Sequence, residues 1–152
     1  MGKRLLKPEV GNVFAVPLPD GRGSIGQVIA VLNDAGAVAC ALFPVSVEMG
    51  QSVPELPQPI LVQVITPDLL ARGYWPVLET REVRVPSSLF HWEDYREAGW
   101  VGLKIIGSGI IREFVAAYYG FAPWNMMADP EFFTKLLIEG AERPTAAYSA
   151  GG

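Results

Sequence analysis

The chain has 152 residues, with one Cys, one His and a formal net charge of −4. This length suits one compact domain that can bury a core without disulfides or a structural metal. Hydrophobic residues make up 50% of the chain, which argues against intrinsic disorder. One Cys permits no internal disulfide and no Cys-based zinc site, and one His excludes a two-His metal motif. We therefore expect no metal site.

The apolar runs and the charge also bear on location and partners. No apolar run approaches the roughly 20 residues that cross a bilayer. The basic residues Lys3, Arg4 and Lys7 precede no hydrophobic segment of adequate length. We therefore expect no membrane association, no signal peptide and a cytoplasmic location. The negative charge disfavours binding to nucleic acid, whereas a basic protein partner and ordinary solubility both fit it.

The first half of the chain is rich in Val, Ile, Pro and Gly and predicts β-strands. Apolar, β-branched runs separated by turn residues indicate an antiparallel meander. The Pro-rich stretch 47–58 is expected to be an irregular loop or a protected edge. The strands are predicted at residues 12–18, 25–32, 37–45, 58–65 and 74–78. Such short strands favour a bent antiparallel sheet or an SH3-like partial barrel.

The second half holds most of the aromatic residues and predicts two helices. Ser108 can N-cap the first, which has a wide apolar face and ends near Gly120. Asp129 can N-cap the second, with Pro130 in its first turn and Gly140 past its end. The sequence therefore predicts an α+β fold, in which an N-terminal sheet is followed by two C-terminal helices.

One domain is expected over residues 1–140, because neither an internal repeat nor a long linker separates the two halves. Residues 141–152 are small and polar and predict a flexible C-terminal tail.

Residues 21–26 spell G-x-G-x-x-G, which occurs in nucleotide-binding loops. A dinucleotide site needs a helix after the glycines, but residues 27–32 are too few and too β-branched to form it. A kinase-type loop needs a Lys on the next strand, and none occurs between Lys7 and Lys104. We interpret the glycines as easing a hairpin turn and expect no cofactor.

His91 and Cys40 are the residues that enzymatic chemistry would use first. A small enzyme could pair His91 with a nearby carboxylate. Cys40 lies in the middle of an apolar strand, where burial raises a thiol pKa, so we interpret it as a core residue. No set of residues supplies a nucleophile, a base and an oxyanion donor together, and we expect no catalytic activity.

Carboxylates and aromatic residues cluster just after His91. Consecutive charges are typical of a solvated face, but an acidic rim beside two Trp residues also suits a protein interface. The candidate contacts in this segment are Trp92, Glu93, Asp94, Tyr95, Glu97 and Trp100.

The segment between the two predicted helices supplies two more candidate contacts, Trp124 and Asn125. Its Trp and two Met residues are unusually apolar for a loop. It either folds back as a lid on the core or presents a binding surface.

Two stretches of the chain carry a family resemblance. The first is G-N-V-F-A-V-P-L-P-D-G at residues 11–21, followed by G-Q-V at 26–28. The second runs through V-G at 101–102, Ile106, G-S-G-I at 107–110, Phe114, A-Y at 117–118, Gly120, P-W at 123–124, D-P at 129–130 and residues 133–137. Together they resemble the immunity protein 26 family of bacterial polymorphic-toxin systems and cover most of the chain. The family pattern has an acidic residue after Pro-Trp, where this chain has Asn125.

The resemblance implies a protein that binds and neutralises a cognate toxin domain by occlusion, without chemistry of its own. It supplies no catalytic residues. Two alternatives remain beside it: a small enzyme that uses His91, and a nucleic-acid-binding module on which Arg22, Arg72, Arg81 and Arg84 converge.

Overall fold

The computed structural model describes residues 5–89 and 91–151. Lys3 and Arg4, on which the expectation of no signal peptide partly rests, lie outside the described residues, as does Gly152 at the end of the predicted tail. Five strands form one antiparallel sheet in the order β4-β3-β2-β1-β5. They are β1 (Asn12–Pro17), β2 (Arg22–Leu32), β3 (Ala37–Glu48), β4 (Leu61–Ile65) and β5 (Val77–Thr80).

The helices are short, except for one. They are α1 (Asp68–Ala71), α2 (Trp92–Glu97), α3 (Ser108–Tyr118) and α4 (Phe132–Leu136), with 3-10 turns at Asn33–Ala35 and Ser87–Leu89. This architecture confirms the predicted α+β class. Within the described part of the chain, no helix has the length and apolar character needed to cross a bilayer.

The sheet is open rather than closed into a barrel, because β4 and β5 form its two opposite edges. The register of β2 against β3 shifts twice, between Ser24 and Gly26 and between Val28 and Ala30. Such bulges bend long strands and increase their twist. The edge beyond β4 is covered by the backbone of Ile106, whose N–H donates to the Val64 carbonyl at 3.0 Å.

Residues 21–26 form the predicted hairpin turn and the start of β2. Gly21 has a φ of 88°, which favours glycine in the β1–β2 connection. At Gly26 the reason for glycine is space, because a Cβ there would lie 2.5 Å from Cζ of Phe14. The glycines therefore serve the packing of the sheet.

Both faces of the sheet are buried, and we name them by what covers them. The helical face is covered by α1, α3 and α4, and Phe14 stacks there on Trp75 with ring centroids 5.5 Å apart. The loop face is covered by residues 53–56 and by the segments 81–89 and 91–103. Cys40 is 1% exposed on the helical face, which confirms its assignment to the core.

The predicted α3 is confirmed, but the second C-terminal helix is much shorter than predicted. α4 begins at Phe132, and in the turn before it Oδ1 of Asp129 accepts a hydrogen bond from the Glu131 N–H at 2.9 Å, the kind of bond predicted for Asp129 as an N-cap. Leu137 is already extended, and the N–H of Ile138 donates to the carbonyl of Ile60 at 2.9 Å. A bond to the residue before β4 therefore replaces the helical bond that would have continued α4.

The segment after Gly140, predicted to be a flexible tail, makes specific contacts through residue 150. Ala147 is buried, and the Trp124 N–H donates to the Tyr148 carbonyl at 2.6 Å. The Asn125 side chain bonds the backbone of Ala150 twice, at 3.0 and 2.9 Å. These contacts differ from those expected of a frayed tail, because backbone pairing and a buried methyl group hold the segment on the helical side.

Candidate functional site

The predicted acidic segment folds as the helix α2, which the sequence analysis did not predict. Trp92 and Tyr95, three residues apart, are half-buried, and Trp92 packs against the core of the loop face. Glu93 and Asp94 lie in the first turn, where the helix dipole favours negative charge. The helix ends at Gly99 in a Schellman motif, with Gly99 N–H to Arg96 O at 3.0 Å and Trp100 N–H to Tyr95 O at 2.7 Å.

Trp100 fixes α2 to the turn between β2 and β3. Its indole Nε1 donates to Oδ2 of Asp34 at 3.0 Å, and its ring packs against the core of the loop face. The guanidinium of Arg96 lies 5.4 Å from the ring centroid, and its Nε is 3.7 Å from the same Asp34 oxygen. These contacts hold the helix in one orientation on the sheet.

The outer side of α2 carries exposed carboxylates. Glu93, Asp94 and Glu97 are exposed, and Arg96 reaches Glu93 at 3.4 Å. We call the surface of Asp34, Glu93, Asp94 and Glu97 the acidic ridge. Because these groups are in contact with water, the ion pairs of Arg96 with Asp34 and Glu93 contribute little to stability. Their joint negative potential is available to a partner.

Beside the acidic ridge lies an apolar side chain that the sequence analysis missed. Val101 follows Trp100 and is 77% exposed, more than any other large hydrophobic residue in the described part of the chain. Its place directly after two residues with positive φ, Gly99 and Trp100, turns it away from the core. The signal available in the sequence was Gly99, which predicts a helix end and therefore an exposed turn after it.

Trp124 is a core residue, so its prediction as a surface contact is wrong. It is 2% exposed, and its ring centroid lies 5.5 Å from Phe114 and 5.6 Å from Phe133. Its Nε1 donates to Oγ1 of Thr134 at 2.9 Å. Asn125 is half-buried, and its side chain holds the C-terminal segment. The lid interpretation of this loop is therefore correct.

The two candidate enzymatic residues lie in different environments, since His91 is exposed and Cys40 is in the core. His91 is exposed and is the N-cap residue of α2, and its side chain makes no cap hydrogen bond to the helix. Burial raises the pKa of the Cys40 thiol, which disfavours the nucleophilic thiolate. In residues 5–89 and 91–151, no three His, Cys, Asp or Glu side chains are grouped to hold a metal ion.

Arg22 and Arg81, two of the four arginines of the nucleic-acid hypothesis, lie on opposite sides of the sheet, whereas Arg81 and Arg84 line the same cavity. Arg22 bonds Asp20 and Ser46 and lies over the Tyr119 ring on the helical side of the sheet. Arg81 serves the loop face, where its guanidinium donates to backbone carbonyls of residues 53 and 54. Opposite sides of a buried sheet cannot present these two charges to one phosphate backbone.

A polar cluster joins α1 to the start of α3. The Ser108 hydroxyl donates to Oδ1 of Asp68 at 2.6 Å, and the Thr66 hydroxyl donates to the same atom at 2.6 Å. These two hydrogen bonds lower the pKa of Asp68, with the larger effect from Ser108. The same two hydrogen bonds connect Asp68 of α1 to Ser108 at the first residue of α3 and to Thr66.

Comparison with known proteins adds no assignment. No protein-family model, no curated protein and no solved structure matches this chain. The resemblance to the immunity protein 26 family therefore rests on the sequence motifs, and the function drawn from it stays a prediction.

Proposed function

We propose that this protein is a cytoplasmic immunity protein that binds a cognate toxin domain through the acidic ridge and neutralises it by occlusion, without catalysis. The observation that carries the proposal is the set of exposed carboxylates on a helix that is fixed to the sheet by Trp92 and Trp100. The family resemblance adds the class of partner.

The geometry suits recognition of a basic surface. α2 packs on the loop face of the sheet, which fixes the position of the helix. Its carboxylates therefore need little further ordering when a partner binds. Negative charges held on one ridge attract a positive surface over a distance and raise the association rate. Val101 offers an apolar contact at the side of the ridge, where a partner can exclude water from it.

The test starts from the toxin domain encoded next to this gene. Co-expression of the two proteins is read by host survival and by co-purification, and purified proteins give association rates at several salt concentrations. We expect survival, a stable complex and an association rate that falls steeply with salt.

Charge reversal locates the interface. The variant Glu93→Lys/Glu97→Lys should lower the association rate by about tenfold or more at low salt. The control Glu139→Lys/Glu142→Lys changes the same net charge at two exposed residues of the C-terminal segment and should leave the rate close to that of the wild type. An equal loss in both variants would show that only net charge matters, and a toxin that kills cells despite co-expression would refute the function itself.

A further inference from the structure

The loop face contains a cavity of about 660 Å³ that the immunity proposal does not use. It lies between residues 55–59 and residues 81–86, over strands β2 and β3. Its volume falls in the range of small-molecule sites in proteins. Gln27 of β2 and Phe43 of β3 are the sheet residues in its lining, and both are buried.

Arg81 fixes the separation of the two segments that form the walls of the cavity, residues 55–59 and residues 81–86. Its guanidinium donates to the carbonyl of Pro54 at 2.7 Å and to that of Val53 at 2.6 Å, and it also pairs with Glu79. These bonds tie the end of β5 to the start of the opposite loop. These contacts engage all three nitrogens of the Arg81 guanidinium and hold the shape of the cavity, and the pairing with Glu79 offsets its charge.

Gln27 gives the floor of the cavity one oriented polar group. The side chain is 2% exposed, and its Nε2 donates to the carbonyls of Gly11 at 3.3 Å and Arg81 at 3.0 Å. Two carbonyl acceptors fix the orientation of the amide, because only nitrogen can donate to them. The remaining group is the Oε1 acceptor, to which none of the described residues donates.

The other lining residues define the shape and charge of the ligand. Phe43, Pro57 and Pro59 present flat, apolar surfaces of the kind that cover aromatic rings. The charged residues of the lining are two of each sign, Glu55, Glu82, Arg81 and Arg84, and the sheet residues Gln27 and Phe43 on the floor carry no charge. A charged group on the floor would be desolvated without a partner, so the chemistry favours a neutral ligand.

We infer that this cavity binds a small, neutral, flat aromatic molecule whose N–H or O–H group donates a hydrogen bond to Oε1 of Gln27. The site lies apart from the acidic ridge, and the inference stands whether or not the protein binds a toxin.

Two matched probes test the inference on the full wild-type chain. Indole carries one N–H donor, and 1-methylindole has the same aromatic body without it. Each is titrated into ¹⁵N-labelled protein and followed by NMR. We expect indole to give saturable shifts at the backbone amides of Phe43 and Val85 and at the side-chain amide of Gln27. The 1-methyl compound should bind about 2- to 10-fold more weakly, which is the contribution of one neutral hydrogen bond.

Two variants separate the site from non-specific binding. Gln58 lines the cavity and is exposed, so Gln58→Trp should fill the mouth and abolish the shifts while the fold is kept. Gln27→Met should abolish the preference for indole over 1-methylindole. The control Gln63→Met, at a residue of β4 outside the cavity, should retain that preference. If Gln27→Met does not fold, the comparison of indole with 1-methylindole on the wild-type chain still tests the inference. Equal binding of both probes, or no saturable shift in the lining, would overturn the inference.

Discussion

Trp124 tests most directly whether the aromatic residues of the second half support the core or a binding surface. The side chain is 2% exposed and packs against Phe114 and Phe133 at ring-centroid distances of 5.5 and 5.6 Å. Truncating a buried Trp to Ala removes its transfer free energy and leaves a cavity, at a cost of about 3–5 kcal/mol. We expect Trp124→Ala to lose that much of the free energy of unfolding, a large part of the about 5–15 kcal/mol typical of domains.

A second variant separates the ring from its hydrogen bond. Trp124→Phe keeps an aromatic ring in the core but removes the 2.9 Å bond to Thr134. The lost bond alone costs about 1 kcal/mol, and the smaller ring adds to that value. The order of stability should therefore be wild type, then Trp124→Phe, then Trp124→Ala.

Urea unfolding followed by circular dichroism measures these free energies, and thermal scans give an independent check. For a chain of this size, about 2–4 °C of Tm per kcal/mol predicts a drop of about 6–20 °C for Trp124→Ala. The exposed control Val101→Ala should stay within about 0.5 kcal/mol of the wild type. A loss below about 1 kcal/mol for Trp124→Ala would refute the core assignment and restore the surface interpretation.

Three further predictions follow from single contacts. Gly26→Ala places a methyl carbon 2.5 Å from a buried ring, so we expect a loss of about 1–3 kcal/mol in urea unfolding, whereas Gly109→Ala in the open first turn of α3 should cost nothing. Hydroxyl donors hold the pKa of Asp68 below its usual value of 3.8, so its stabilisation is complete above about pH 4 and is lost as the pH falls through the lowered folded pKa. Asp68→Asn should therefore be less stable than the wild type at pH 7, with a difference that shrinks below pH 4; a difference that does not change with pH would contradict the assignment. Asn125→Ala removes both bonds to the backbone of Ala150, and hydrogen exchange should show faster exchange of that amide, with unchanged rates in the sheet.

The sequence alone was sufficient for features that depend on neighbours along the chain. Apolar, β-branched runs and turn residues located the first four strands, whereas the fifth, predicted at 74–78, lies at Val77–Thr80. Gly120 marked the end of α3, since its N–H bonds Ala117 O at 3.2 Å with a φ of 85° and that conformation favours glycine. The core position of Cys40 followed from its apolar strand in the same way.

Local signals did not predict α2, and they predicted α4 longer than it is. α2 and α4 have six and five residues, too few for a periodic pattern to be distinguished from chance. α4 ends where the N–H of Ile138 meets the carbonyl of Ile60, a group remote in sequence. α2 is held by the bond of Trp100 to Asp34, and such contacts exist only once the chain has folded.

The same distinction applies to the candidate site. The sequence by itself determined which residues could form an acidic, aromatic surface, because composition and charge are properties of the chain. Only the tertiary structure decided that Trp124 is buried, that Glu93 and Glu97 share an exposed ridge, and that Arg22 and Arg81 serve opposite faces of the sheet. The physical reason is that exposure and proximity depend on how distant segments pack, and burying one face of an amphipathic segment selects which side chains remain in water.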